Sequence, residues 1–175
     1  MELYPNDIIV TCDDDIYYRC TMLERLILEY YKDPTHVYSH RAHMVGLTSN
    51  GKLRPYNDWE EEISGSSGAL VFPTGGSGCL YKKSLLYKDV CNEDLFMKLA
   101  PKADDVWFYF MEILQQTTCV VLANEGYILI PLDVFYQHFH KCSRLYSSNC
   151  LESQNDIQIE AVMKYYGIDM KELIK

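Results

Sequence analysis

Three consecutive carboxylates, Asp13-Asp14-Asp15, follow directly on the apolar run Ile8-Ile9-Val10-Thr11-Cys12. Like charges at a strand's end repel one another, so the triplet asks for a positive partner. Carboxylate oxygens suit Mg or Mn, ions that take few protein ligands and complete their shell from substrate phosphates. The plain alternative is a solvated Asp-rich turn capping the next helix. A second pair, Asp104-Asp105, opens an aromatic-rich stretch. Either carboxylate would satisfy amides at a helix start and complement the dipole. One facing the first cluster would instead be placed to deprotonate an attacking hydroxyl. Gly75-Gly76-Ser77-Gly78 is a loop whose backbone can approach a ligand closely. The alternately spaced His138 and His140 offer a further metal ligand or phosphate donor, or are ordinary surface or core residues.

Several sharper motifs fail. A calcium EF-hand loop beginning at Asp13 would need Gly at its sixth position, where Tyr18 stands. A phosphate-binding Walker loop needs Gly before Lys-Ser, and Lys82-Lys83-Ser84 lacks it. A nucleophile elbow around Ser77 would need Gly in place of Cys79. A metal-dependent phosphatase of the haloacid dehalogenase type remains as an alternative. Asp13 would be its nucleophile, Asp15 its acid and Asp104-Asp105 its distal metal pair, although Tyr17 departs from the usual Thr or Val.

The elements that must position these residues follow from local pattern. Ile8 to Cys12 reads as a short buried strand of a parallel sheet. Thr21-Met22-Leu23-Glu24 reads as a capping box for a helix whose apolar stripe runs through Met22, Leu23, Leu26, Ile27, Tyr30 and Tyr31 and stops at Asp33-Pro34. Val37 to Val45 predicts a strand, Asn50-Gly51 a turn, 52–63 an irregular loop and Ala69 to Phe72 another strand. Asp104 to Gln116 predicts a largely buried helix. Val120 to Ala123 and Tyr127 to Leu132 predict short strands, and Asn155-Asp156 begins a last helix through Tyr166. This alternation makes an α/β class.

With 175 residues the chain is expected to form one domain, 1–175, with a real core. Its formal charge of -9 argues against a nucleic-acid groove, and Lys82-Lys83 is the only local basic pair. Fifteen tyrosines supply flat, hydrogen-bonding surface suited to carbohydrate or to a half-buried core. Seven cysteines with no C-x-x-C spacing read as free thiols in a reducing compartment. No apolar run is long enough for a membrane span, and no signal peptide opens the chain, so a cytoplasmic location is expected.

The order of Ile8-Ile9-Val10-Thr11-x-Asp13-Asp14-Asp15-Ile16, Ser39-His40-Arg41-Ala42-His43, Gly75-Gly76-Ser77-Gly78-x-Leu80-Tyr81, Ala103-Asp104-Asp105-Val106-Trp107 and Asn155-Asp156 resembles the core of bacterial GT-A fold glycosyltransferases of surface polysaccharide assembly. The resemblance spans about Pro5 to Tyr166. It implies a truncated GT-A, Rossmann-like mixed sheet flanked by helices. It also implies transfer of a sugar from a nucleotide-diphosphate donor to a saccharide or lipid-linked saccharide acceptor with Mn or Mg. By that resemblance Asp13 and Asp15 hold the metal, and the spacing of His138 and His140 separately offers a late ligand. Asp13, Asp14, Asp15, Gly75, Gly76 and Gly78 form the nucleotide-sugar site, and Asp104 or Asp105 is the base. Family members place a nucleotide-base-binding unit ahead of the Asp-x-Asp strand, which here starts at residue 8. The expectation is therefore an incomplete site, completed by another polypeptide or inactive, and an exposed strand edge at Ile8 to Cys12 that favours a homodimer or higher oligomer. A non-catalytic assembly module is the third reading.

Overall fold

A computed structural model describes residues 1–123, 130–131 and 153–174. In chain order, ten strands are β1 (Ile8–Thr11), β2 (Ile16–Tyr17), β3 (Val37–Ser39), β4 (Ala42–Met44), β5 (Glu60–Ile63), β6 (Ser67–Gly68), β7 (Val71–Pro73), β8 (Cys79–Lys82), β9 (Cys119–Val121) and β10 (Ile130–Pro131). Four α-helices, α1 (Met22–Lys32), α2 (Glu93–Leu99), α3 (Asp104–Gln115) and α4 (Gln154–Tyr166), complete the frame of the described residues. A five-stranded sheet runs β1-β8-β3-β9-β6, a three-stranded sheet runs β5-β4-β7, and β10 pairs with β2. The larger sheet is mixed: β3 and β9 are parallel, and its other neighbours are antiparallel.

Strand β1 forms where its apolar run predicts, but its setting differs. It pairs antiparallel with β8, with Thr11 opposite Cys79, and all four of its residues are half-buried. An unbroken apolar run reports cover on both faces and carries no information about strand direction. On the side away from β8 no strand lies beside it among the described residues, so β1 is the edge that was expected.

The segment Val37 to Val45 is two strands in two sheets. The Ser39 hydroxyl accepts from the Arg41 amide at 3.2 Å and donates to the Arg41 carbonyl at 2.5 Å. A side chain that binds the backbone two residues on competes with the ladder and turns the chain. Arg41 thus sits at the crossing, with its carbonyl also accepting from the Thr74 amide at 3.1 Å. The expected loop over 52–63 contains β5, whose signal is hidden by a bulge. Ala42 faces Ile63 and Met44 faces Glu60, with Glu62 left over at φ 55°.

The Thr21 capping box does not form: Thr21 itself lies in the helical region and makes no side-chain cap. Met22, Leu26 and Tyr30 face the core, whereas Leu23 and Tyr31 from the same expected stripe are exposed. Helix α3 carries the core, with Val106, Trp107, Tyr109, Phe110 and Met111 all buried. Its Trp107 indole donates to the Val90 carbonyl at 3.0 Å and its Tyr109 hydroxyl to the Ala69 carbonyl at 2.7 Å. These bonds fix the axial position of α3, and hence of Asp104 and Asp105 in its first turn.

Candidate functional site

Thr11 ends β1 beside Cys79, and the chain then turns through Cys12 into Asp13. The turn is tied down by Tyr18. Its hydroxyl accepts from the Asp13 amide at 2.7 Å and donates to the Gly76 carbonyl at 2.8 Å. The acidic turn is thereby clamped to the single helical turn Gly75–Ser77 that links β7 to β8. A Cβ on Gly76 would lie 2.7 Å from the Asp13 Oδ2, and one on Gly75 would lie 2.9 Å from the Asp105 Oδ1. Glycine at both positions is thus a requirement of close approach. Asp105 does not cap its own helix; its Oδ1 accepts from the Gly75 amide at 2.7 Å.

These groups share one cleft of about 720 Å³. Asp13, Gly75, Gly76, Asp104 and Asp105 line one part of it, and Arg41, His43, Tyr56, Phe72, Lys102 and Asn155 line the remainder. Helix α4 braces the cleft: the Asp156 Oδ1 accepts from the Tyr56 amide at 2.8 Å, and the Gln158 Oε1 accepts from the Lys102 amide at 2.8 Å.

The electrostatics follow from crowding. Burial, then the charges of Asp15, Asp104 and Asp14, raise Asp13 above the usual carboxylate range. Asp105 is pushed up to about 7 by burial first, then by Asp104 and Asp13, while the Gly75 amide and Arg41 pull it down. His43 is lowered to about 4 by burial and by Arg41, so it is neutral at physiological pH. The Arg41 Nε lies 3.6 Å from Glu62, an ion-pair distance too long for a hydrogen bond.

Of the residues singled out in the sequence, Asp13, Gly75, Gly76, Asp104 and Asp105 come together. Asp14 and Asp15 are exposed and do not line the cleft, although their charges bear on Asp13. Gly78 does not line it either; at φ 96° it faces Met22, whose Sδ would be 2.9 Å from an added Cβ, so its task is to admit α1. His138 and His140 lie outside the described residues. Among the described residues no three His, Cys, Asp or Glu side chains are grouped to hold a metal ion. Thr11, Arg41, His43, Tyr56, Lys102 and Asn155 were given no role from sequence. Arg41, His43 and Asn155 do fall inside the motifs that carry the family resemblance.

No family model, curated protein or solved structure matches the chain.

Proposed function

We propose that the cleft is the site of a GT-A-type glycosyltransferase domain that moves a sugar from a nucleotide-diphosphate donor to a saccharide or lipid-linked saccharide acceptor. The observation that carries this reading is the meeting of Asp13, the Gly75-Gly76 turn and Asp104-Asp105 in one cleft, from three segments far apart in sequence. Asp13, with Asp104 in the same cleft and the charge of Asp15 bearing on it from outside, is the residue that would hold Mg or Mn. Mutual repulsion that raises Asp13 is what a divalent cation would relieve, and such an ion would complete its shell from phosphate oxygens. Bound there, the ion supplies charge stabilisation to a departing diphosphate.

The chain's own part is acid–base work and placement. Asp105, poised at about 7, takes the proton of the acceptor hydroxyl as its oxygen bonds to the anomeric carbon. The bond from that carbon to the diphosphate breaks, and the diphosphate leaves with the electron pair. The Gly75 amide orients the Asp105 carboxylate, and the absent Cβ at Gly76 leaves room for Asp13. Calorimetry with Mn and a panel of nucleotide sugars tests this. Mn-dependent binding of at least one is expected, and none with a folded protein overturns it.

The phosphatase alternative gains less from the geometry. Its general acid would be Asp15, which is exposed and does not line the cleft. For partners, the β1 edge and the exposed Leu3 and Tyr4 ahead of it support pairing with a second chain. An interface burying more than about 1,000 Å² is expected, and sedimentation at micromolar concentration reads it directly. Free Cys12, Cys20, Cys79, Cys91 and Cys119 are in keeping with a reducing, cytoplasmic setting. Among the described residues no helix is long and apolar enough to cross a membrane.

A further inference from the structure

Asp13, Asp14 and Asp15 are all exposed, and the charges of Asp15, Asp104 and Asp14 bear on Asp13. Distance and water relieve like charges, so a free turn of this kind swings outward. This one is held in. A Cβ on Gly76 would stand 2.7 Å from the Asp13 Oδ2, and Asp13, Gly75 and Gly76 line the same cleft.

Tyr18 is the group placed to oppose that repulsion. Its single hydroxyl accepts from the Asp13 amide at 2.7 Å, five positions away, and donates to the Gly76 carbonyl at 2.8 Å, 58 positions away. The first bond closes the acidic loop on itself, and the second docks the closed loop on the glycine turn. A hydroxyl that donates is polarised into a better acceptor, so the two bonds support each other. The Tyr18 ring is half-buried and packs against the core, which fixes where the hydroxyl stands. Just ahead of it Ile16 and Tyr17 pair with Pro131 and Ile130, so the loop is also held from its far end. Carboxylates crowded and fixed in this way are unfavourable until a cation enters. A site ordered beforehand then loses less freedom on binding it.

We propose that Tyr18 is a positioning residue whose hydroxyl holds Asp13 against the Gly75–Ser77 turn, ready for a divalent cation. That the cation is Mg or Mn rests on the proposed transfer reaction, whereas the clamp is a property of the metal-free chain.

The test compares the full wild-type chain with Tyr18→Phe, which keeps the ring and removes the hydroxyl. In metal-free protein, hydrogen exchange followed by NMR is expected to show the wild-type Asp13 amide at least about tenfold more protected than that of exposed Asp14, and the variant is expected to lose that protection. Calorimetry with Mn alone, without nucleotide, is expected to give about three- to tenfold weaker binding for the variant. Its melting should fall by no more than about 4 °C. A merely structural tyrosine would lower melting and leave Mn affinity unmoved. Equal Mn affinities therefore overturn the proposal, as does a wild-type Asp13 amide no better protected than that of Asp14. Should Tyr18→Phe fail to fold, the wild-type exchange comparison still decides. The two readings fail separately: a wild type that binds no Mn overturns the metal reading and with it the purpose given to the clamp, whereas equal affinities in both proteins overturn the role of Tyr18 alone.

Discussion

Asp105 and Glu112 stand on the same helix about two turns apart, and burial pushes both carboxyls up. Their surroundings differ. Glu112 is 1% exposed, its Oε1 has no partner among the described residues, and burial is the whole cause of its shift. Among the described residues no group beside it favours its ionised form. Asp105 faces the cleft, where the Gly75 amide and Arg41 favour the ionised form and Asp104 and Asp13 oppose it, leaving it at about 7. Burial alone removes a carboxyl from acid–base chemistry. Burial balanced by one donor and one cation leaves it able to change protonation at neutral pH.

The contrast can be broken most strongly through turnover. Asp105→Asn is expected to lower sugar transfer about 10² to 10⁴-fold, measured as initial rates with Mn and nucleotide sugar. Glu112→Gln should leave the rate within about twofold of wild type, since it replaces one neutral group by another. Equal losses in both variants would erase the distinction. Next in size is Gly76→Ala, whose Cβ would meet the Asp13 carboxylate at 2.7 Å. Mn affinity by calorimetry should fall about tenfold or more, with the melting temperature little changed.

The third expectation concerns pH. In the unfolded chain an Asp titrates at about 3.9, whereas folded Asp105 does so at about 7. Between those values the folded state holds a proton that the unfolded state has released. Stability from this group is therefore full below about pH 4 and declines as pH rises to about 7. Asp105→Asn should melt several degrees above wild type at about pH 8 and level with it near pH 4, by circular dichroism. The smallest effect is the melting of Glu112→Gln. It should stay within about 1 kcal/mol of wild type and show no pH-dependent difference between about pH 5 and 8.

Much of the frame is visible in local pattern. Helix α3 and helix α4 fall within a residue of their expected ends, and α1 stops at Asp33-Pro34 as its sequence directs. What pattern does not reveal is tertiary. The split at His40-Arg41 depends on Ser39 binding the Arg41 backbone, and β5 is masked by three glutamates and a bulge. Helix α2, seven residues capped by Asn92, is too short for periodicity to declare. The site divides in the same way. Acidic and glycine clusters stand out by composition, so Asp13, Asp105, Gly75 and Gly76 were identifiable. Asp15 and Gly78 belong to those clusters too, yet stand outside the cleft. Thr11, His43, Tyr56 and Asn155 are ordinary residue types, and only folding brings their four segments to the lining of one cleft.

The most direct measurement is a carbon-13 NMR titration of the side-chain carboxyls, with and without Mg. Asp105 is expected to titrate near its value of about 7, and its midpoint to drop when Mg is added, because a cation held at Asp13 favours the ionised form. Glu112 should titrate well above the ordinary carboxylate value and ignore the ion. An Asp105 midpoint at the ordinary value of about 4, or one that saturating Mg leaves unmoved, would contradict a metal-linked base in this cleft.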